Sequence, residues 1–253
     1  MVTTRSQKSR KKQYSTIVSK VPNPQKRDDA FKINTKISAN RPTTLPQPPG
    51  LPFQLQPAIF GMIQERIQSS LYALVVQAIL WNQTTGLTAR PVLFQILSSY
   101  PTPLDLSRAE LKTLTSFLQP IGLQNIRAAR LIALAEAWIR ALPSAERRYR
   151  KLHYPSRGSG MDVKPGEVLE IDDEREGWEI AHLPGMGPYA LDSFRIFYRD
   201  RLRGIGANGE IPEWQRVLPK DKDLKAYLRW KWAQAGWNWD ANTGNCIKIM
   251  EAV

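Results

Sequence analysis

From Ile59 onward the apolar residues recur at three- and four-residue steps, the period of a helix that buries one face. Phe60–Gln68, Leu71–Asn82, Thr88–Ser99, Arg108–Leu118 and, at greater length, Asn125–Leu142 all carry this pattern. A last helix is predicted over Asp221–Ala235, ending at Gly236, a residue suited to the left-handed turn that closes a helix. Alternation at every second position, the mark of a strand, is nearly absent, so the pattern predicts an all-α domain. Two segments break the rhythm. Pro143–Glu176 combines the basic run Arg147–Lys151, the small residues Ser156–Gly160 and the acidic run Glu170–Glu174, and it predicts a long, partly mobile insertion before Trp178–Leu183 re-enters the core. Gly204–Gly209 predicts a second loop.

Residues 1–55 show no apolar period and are rich in Lys, Arg, Ser, Thr, Gln and Pro, which predicts a flexible basic tail followed by one domain over 56–253. The run Arg5–Lys12 reads equally as a nuclear address, a non-specific DNA arm or a solvated basic face. With 36 Lys and Arg against 23 Asp and Glu, the net charge is +13 and an anionic polymer or surface is the natural partner. No apolar run is long enough to span a bilayer and no signal-peptide pattern is present, so the chain is expected to be soluble and intracellular, with no membrane partner.

The single cysteine, Cys246, excludes an internal disulfide, a four-cysteine iron–sulfur cluster and a cysteine zinc site. His153 and His182 have no partner at metal-ligand spacing, so no metal is expected and zinc-dependent chemistry is disfavoured. Neither the phosphate-loop string nor the Gly-x-Ser-x-Gly elbow occurs.

The most informative string is Leu183-Pro-Gly-Met-Gly-Pro-Tyr189, which leads directly into the amphipathic stretch Ala190–Tyr198. Gly185 and Gly187 allow a tight turn whose backbone can approach a partner closely, and Pro188 suits the first position of a helix. The free N–H groups and dipole of that helix start favour an anion such as a phosphate. A plain helix–helix connector is the other reading of the same string.

Several strings together resemble the helix-hairpin-helix DNA glycosylases, most closely the mismatch-specific thymine/uracil glycosylase domain of the methyl-CpG-binding-domain family. They are Met62–Glu65, Leu80–Gly86, Arg90–Leu93, Leu118–Ala128, the hairpin, Asp192–Phe197, and Val217–Tyr227 with Trp230. The resemblance covers about residues 59–240. It implies an all-α helix-hairpin-helix fold and a monomeric nuclear repair enzyme that flips a thymine or uracil mispaired with guanine out of duplex DNA and excises it. A methyl-CpG-reading domain is not visible, so no preference for methylated sites is carried over.

The resemblance also implies roles for single residues. Flipping leaves a hole in the duplex, and Gln83 stands at the plug position with Leu123 as the apolar wedge. The closest relatives carry Arg at the plug; Gln83 is similar instead to the endonuclease III and adenine-glycosylase branches. Gln64 matches a residue that hydrogen-bonds the flipped pyrimidine, and Trp138 falls at a stacking aromatic. Gly185, Gly187 and Tyr189 fall in the phosphate-binding hairpin. Asp192 is expected to be the catalytic carboxylate, stabilising positive charge at C1′ and activating water, with Asp200 next in line. Tyr189 occupies the slot where the endonuclease III branch holds a Schiff-base lysine, which implies a monofunctional glycosylase that leaves an abasic site. No cofactor is required, although a monovalent cation at the hairpin carbonyls is compatible. A glycosylase for alkylated purines or mispaired adenine, and a catalytically silent DNA-binding module, are the alternatives.

Overall fold

Leu71–Leu80 is apolar on every side except at Gln77, and a helix of that kind is stable only inside a core. In the computed structural model, which describes residues 58–205 and 211–249, this segment is α2 (Leu71–Trp81), buried from Leu71 to Leu80. The tail expected over 1–55 and most of the loop expected at 204–209 lie outside the described residues. Ser70 caps α2, its Oγ accepting from Ala73 N at 3.2 Å. Around it stand α1 (Ile63–Ile67), α3 (Gly86–Ser99), α6 (Gln124–Arg140) and α7 (Pro188–Phe197), all packed against α2. A second group, α4 (Pro103–Ser107) and α5 (Leu111–Leu118), packs on α6 through the fully buried Leu106, Leu114, Leu118 and Leu131. The short α8 (Arg199–Arg203) follows α7, and α9 (Lys222–Gln234) closes the helical part.

The all-α expectation holds, with departures at the edges. The helix expected over Arg108–Leu118 begins only at Leu111, because α4 ends just before it. Thr102 and Asp105 form a reciprocal cap that starts α4 at Pro103. Among the described residues the strands are two small antiparallel pairs: β1 (Arg148–Tyr149) with β2 (Val168–Leu169), and β3 (Trp237–Trp239) with β4 (Cys246–Lys248). The segment Trp178–Leu183, expected to re-enter the core, does so as tight turns, in which Ala181 N donates to Trp178 O and Leu183 N to Ile180 O, each at 3.1 Å.

The insertion is tied down rather than loose, which corrects the expectation of mobility over 143–176. Arg148 donates to the carbonyls of Arg175 (3.0 Å), Glu170 (2.9 Å) and Asp173, and Arg150 donates to Val163 O at 2.7 Å. Tyr149 and Trp178 exchange backbone hydrogen bonds, joining the insertion to the turn that precedes the hairpin. Arginines that satisfy main-chain carbonyls order a segment without any apolar period.

Beneath α7 and α8 lies a buried ionic network. Glu213 accepts from Arg195 Nε at 2.5 Å and Arg199 at 2.8 Å, while Glu179, fully buried, pairs with Arg199 at 3.1 Å and Arg203 at 2.6 Å. The Trp178 ring lies 4.6 Å from the Arg195 guanidinium and 4.5 Å from that of Arg199.

Candidate active site

The hairpin reaches the core because Gly185 has no side chain. Its φ is +89°, and a Cβ there would meet Arg130 Cδ at 3.0 Å and Ile79 Cγ1 at 3.1 Å, so only glycine lets the turn rest on α2. Gly187 N donates to Gly185 O at 2.9 Å, and Pro188 then opens α7. This geometry sets Tyr189 in the first turn, facing α1 and α2. Its phenol oxygen accepts from Gln64 Nε2 at 2.9 Å and from Gln77 Nε2 at 2.8 Å. Burial pushes the Tyr189 hydroxyl up to about 12, so it is neutral near pH 7.

Each amide directs one of its two N–H groups at this one phenol. The carbonyl oxygens of Gln64 and Gln77 are buried without a hydrogen-bond partner among the described residues. Orphaned buried acceptors cost about 1–3 kcal/mol each and call for an explanation. Gln77 was not among the residues picked out by sequence.

Tyr189 also lines a cavity of about 760 Å³ with Gln83, Gly185, Gly187, Asp221 and Lys222. Gln83 has φ +57° and Leu123 φ +51°, both in the left-handed region that side chains other than glycine rarely adopt. Such strain persists only where the surroundings impose it. Here a single residue does so for both loops. Arg127, 3% exposed, donates to Ile121 O (2.8 Å) in the loop before Leu123, and to Asn82 O (2.5 Å) and Thr84 Oγ1 (2.6 Å) on either side of Gln83. Leu123 itself projects into solvent, 48% exposed.

Two expected site residues stand elsewhere. Trp138, expected to stack on the base, packs edge-to-face on Tyr72 with ring centroids 6.3 Å apart and does not line this cavity. Asp192, expected to be the catalytic carboxylate, lies on the other side of Pro188. It is 6% exposed, Tyr154 of the insertion donates to its Oδ1 at 2.7 Å, and it lines a second cleft with Arg195. Asp192 is three residues beyond Tyr189 on α7, and the Tyr154 hydrogen bond holds its side chain toward the insertion. The next choice, Asp200, is taken up by the backbone, accepting from Glu213 N at 3.1 and 3.0 Å.

The carboxylate that does line the cavity of Tyr189 and Gln83 is Asp221. It caps α9, with Oδ1 accepting from the N–H groups of Asp223 and Leu224 at 3.0 Å each. The signal was present in the Asp-Lys-Asp-Leu start of the last predicted helix, which reads as a cap and therefore as structure.

Burial pushes the Asp192 carboxyl up to about 6, with the Asp221 charge adding to it and the Tyr154 hydrogen bond and Arg195 opposing it. Its ordinary value is 3.8, so between about pH 4 and pH 6 the folded protein holds a proton the unfolded chain has released. The stability this contributes is present below pH 4 and is lost as pH rises through 6. The stability of the wild type relative to Asp192→Asn is therefore expected to fall by up to about 3 kcal/mol from pH 4 to pH 7 in denaturant titrations. A difference that stays flat with pH would place the proton elsewhere.

No protein-family model matches the chain. Among solved structures it is similar to a thermostable thymine-DNA glycosylase, at 19% identity and a TM-score of 0.35, over 55% of this chain and 49% of that one. It is also similar to endonuclease III in a non-covalent DNA complex, at 20% identity and a TM-score of 0.34, covering 62% of each chain. A trapped endonuclease III–DNA covalent intermediate aligns at 19% identity and a TM-score of 0.32, over 62% of this chain and 68% of that one. The first alignment thus spans about half the length of its counterpart.

Proposed function

We propose that the domain is a DNA glycosylase that turns a thymine or uracil mispaired with guanine into the cavity at Tyr189 and hydrolyses its N-glycosidic bond. The observation that carries this reading is the neutral Tyr189 at a cavity that Asp221 also lines, backed by Gln64, which donates to the phenol from behind that lining and whose buried carbonyl has no partner among the described residues. An imide N–H, which thymine and uracil both possess, is the donor such an acceptor lacks. Gln83 fills the vacated place in the duplex and Leu123 wedges beside it, both held ready by Arg127. The hairpin N–H groups take a phosphate of the flipped strand.

In this reading Asp221 is the catalytic group. Its carboxylate stabilises positive charge at C1′ and accepts a proton from the attacking water. Hydroxide adds to C1′ as the base leaves with the electron pair of the broken C–N bond. Asp192 is a poor choice for this role, since its charge is buried, bonded to Tyr154 and disfavoured near pH 6. The reaction needs no cofactor. The Leu183 and Gly185 carbonyls, each with one N–H partner, keep a second lone pair for a monovalent cation. The protein works as a monomer on duplex DNA in the nucleus.

Duplexes each carrying one defined mispair or lesion, scored for free base, test the substrate. G:U and G:T duplexes are expected to release base, and preferred release of an alkylated purine or adenine would redirect the assignment. The products should be intact strands with abasic sites that break only after alkali, and borohydride should trap little covalent complex, because Tyr189 supplies no amine. Efficient trapping would overturn the monofunctional reading and turn attention to Lys220, Lys222 and Lys225.

A further inference from the structure

The insertion builds one wall of a second cleft, of about 680 Å³, beside the first cavity. The insertion contributes His153, Tyr154, Ser156 and Arg157 to its lining, α7 contributes Pro188, Asp192 and Arg195, and the segment from Arg216 into α9 contributes Arg216, Lys220 and Lys225. The two cavities share Pro188, and Lys220 immediately precedes Asp221, so the cleft begins one residue from the carboxylate of the proposed reaction.

The charges of this cleft are unbalanced. Asp192 is its one acidic lining residue, 6% exposed and already accepting from Tyr154. Arg195 is taken up by Glu213. Among the described residues, Arg157, Arg216, Lys220 and Lys225 have no acidic partner within 4 Å for their side chains, and Arg157, Arg216 and Lys220 are exposed. Cations gathered in one cleft repel one another, and an anion between them relieves that repulsion.

The wall is also built to hold its shape. Within it His153 N donates to Ser159 O at 2.9 Å, Ser159 N donates to Ser156 O at 3.2 Å, and Gly158 N donates to His153 Nδ1 at 3.3 Å. His153 itself has φ +59°. The Tyr154–Asp192 hydrogen bond fastens this loop to the hairpin helix.

We infer that the insertion adds a DNA-backbone subsite, in which Arg157, Arg216, Lys220 and Lys225 hold the phosphates of the damaged strand next to the flipped nucleotide. The occupant is a phosphodiester chain rather than a lone anion, because four cations from separate segments line one cleft of about 680 Å³ that shares Pro188 with the base cavity. This inference rests on the proposed glycosylase reading for its choice of strand. Its test is equilibrium binding, which needs no turnover, so a protein that released no base could still pass and an active glycosylase could still fail.

The experiment measures the affinity of the full chain for a duplex carrying a non-hydrolysable abasic analogue across a range of salt. Each phosphate contact contributes about −0.9 to the slope of log K against log salt. Arg157→Gln with Lys225→Gln keeps most of the side-chain bulk and touches neither the Asp221 cap nor the hairpin. The slope is expected to shrink in magnitude by close to 2, with binding roughly 30-fold weaker at 0.15 M salt. Arg108→Gln with Lys112→Gln, which removes the same charge from exposed positions that line none of the three cavities found, should leave the slope nearly unchanged. Neutral methylphosphonates placed singly beside the lesion should weaken the wild type and not the Arg157/Lys225 double variant. An unchanged slope in the double variant, an equal loss in the control pair, or identical methylphosphonate profiles for the two proteins would each overturn the subsite.

Discussion

Asp221→Asn is expected to slow single-turnover base release by about 10²–10³-fold, equivalent to roughly 2.7–4 kcal/mol of transition-state stabilisation, while duplex binding changes little. The amide keeps the cap on α9, since its carbonyl oxygen still accepts from the Asp223 and Leu224 N–H groups. What it loses is the charge facing the developing cation. The informative comparison is Asp192→Asn, for which turnover is expected to stay within about tenfold of the wild type. The reverse ranking of the two variants would return the catalytic role to Asp192 and require the insertion to move away from it.

Glu213→Ala carries the largest expected cost in stability. It leaves Arg195, 6% exposed, without a carboxylate and Arg199 with Glu179 alone, and an uncompensated buried charge of this kind costs about 3–5 kcal/mol. For a domain of this size that corresponds to a fall in Tm of roughly 10 °C, readable by calorimetry. Burial raises the Glu213 carboxyl, but Arg199 and Arg195 outweigh burial and hold it below its ordinary value of 4.5. Its contribution is therefore present above that value and is lost as pH falls through the lower folded one, so the wild-type advantage over Glu213→Ala should shrink in acid. This is the opposite sign to Asp192, and a single pH series on the two variants separates them. An Ala variant as stable as the wild type would mean that water or a rearranged Asp200 satisfies both guanidinium groups.

The helical frame was legible because helices that pack on a core leave a periodic trace. Leu71–Trp81, with one polar residue in ten buried positions, could be little else than a central helix, and the Asn125–Leu142 pattern lies within a few residues of α6. The hairpin was legible because Gly185 and Pro188 are required by its backbone. The insertion was not, since Arg148, Arg150 and Arg175 order it through main-chain carbonyls and local carboxylates, and such bonds follow no spacing rule. Which carboxylate lines the cavity was not legible for a related reason. Asp192 is near Tyr189 in sequence, but its side chain is held by Tyr154 in the second cleft; Asp221 comes from a distant segment and reaches the same cavity as Tyr189 only through the packed fold. Trp138 followed the commoner fate of an aromatic on an apolar helix face and joined the core.

Arg127 gives the two probing tips a mechanical property that neither loop has alone. Its guanidinium is shared between the loop bearing Gln83 and the loop bearing Leu123, burial lowers its pKa, and among the described residues it forms no ion pair. The tips behave as two tines of one fork with a common handle: a push on either is transmitted through about one side chain's width to the other. On the proposed glycosylase reading both tines would meet a base pair together, so that its interrogation is one concerted event whose threshold is set by the stiffness of one buried cation bonded to carbonyl and hydroxyl oxygens.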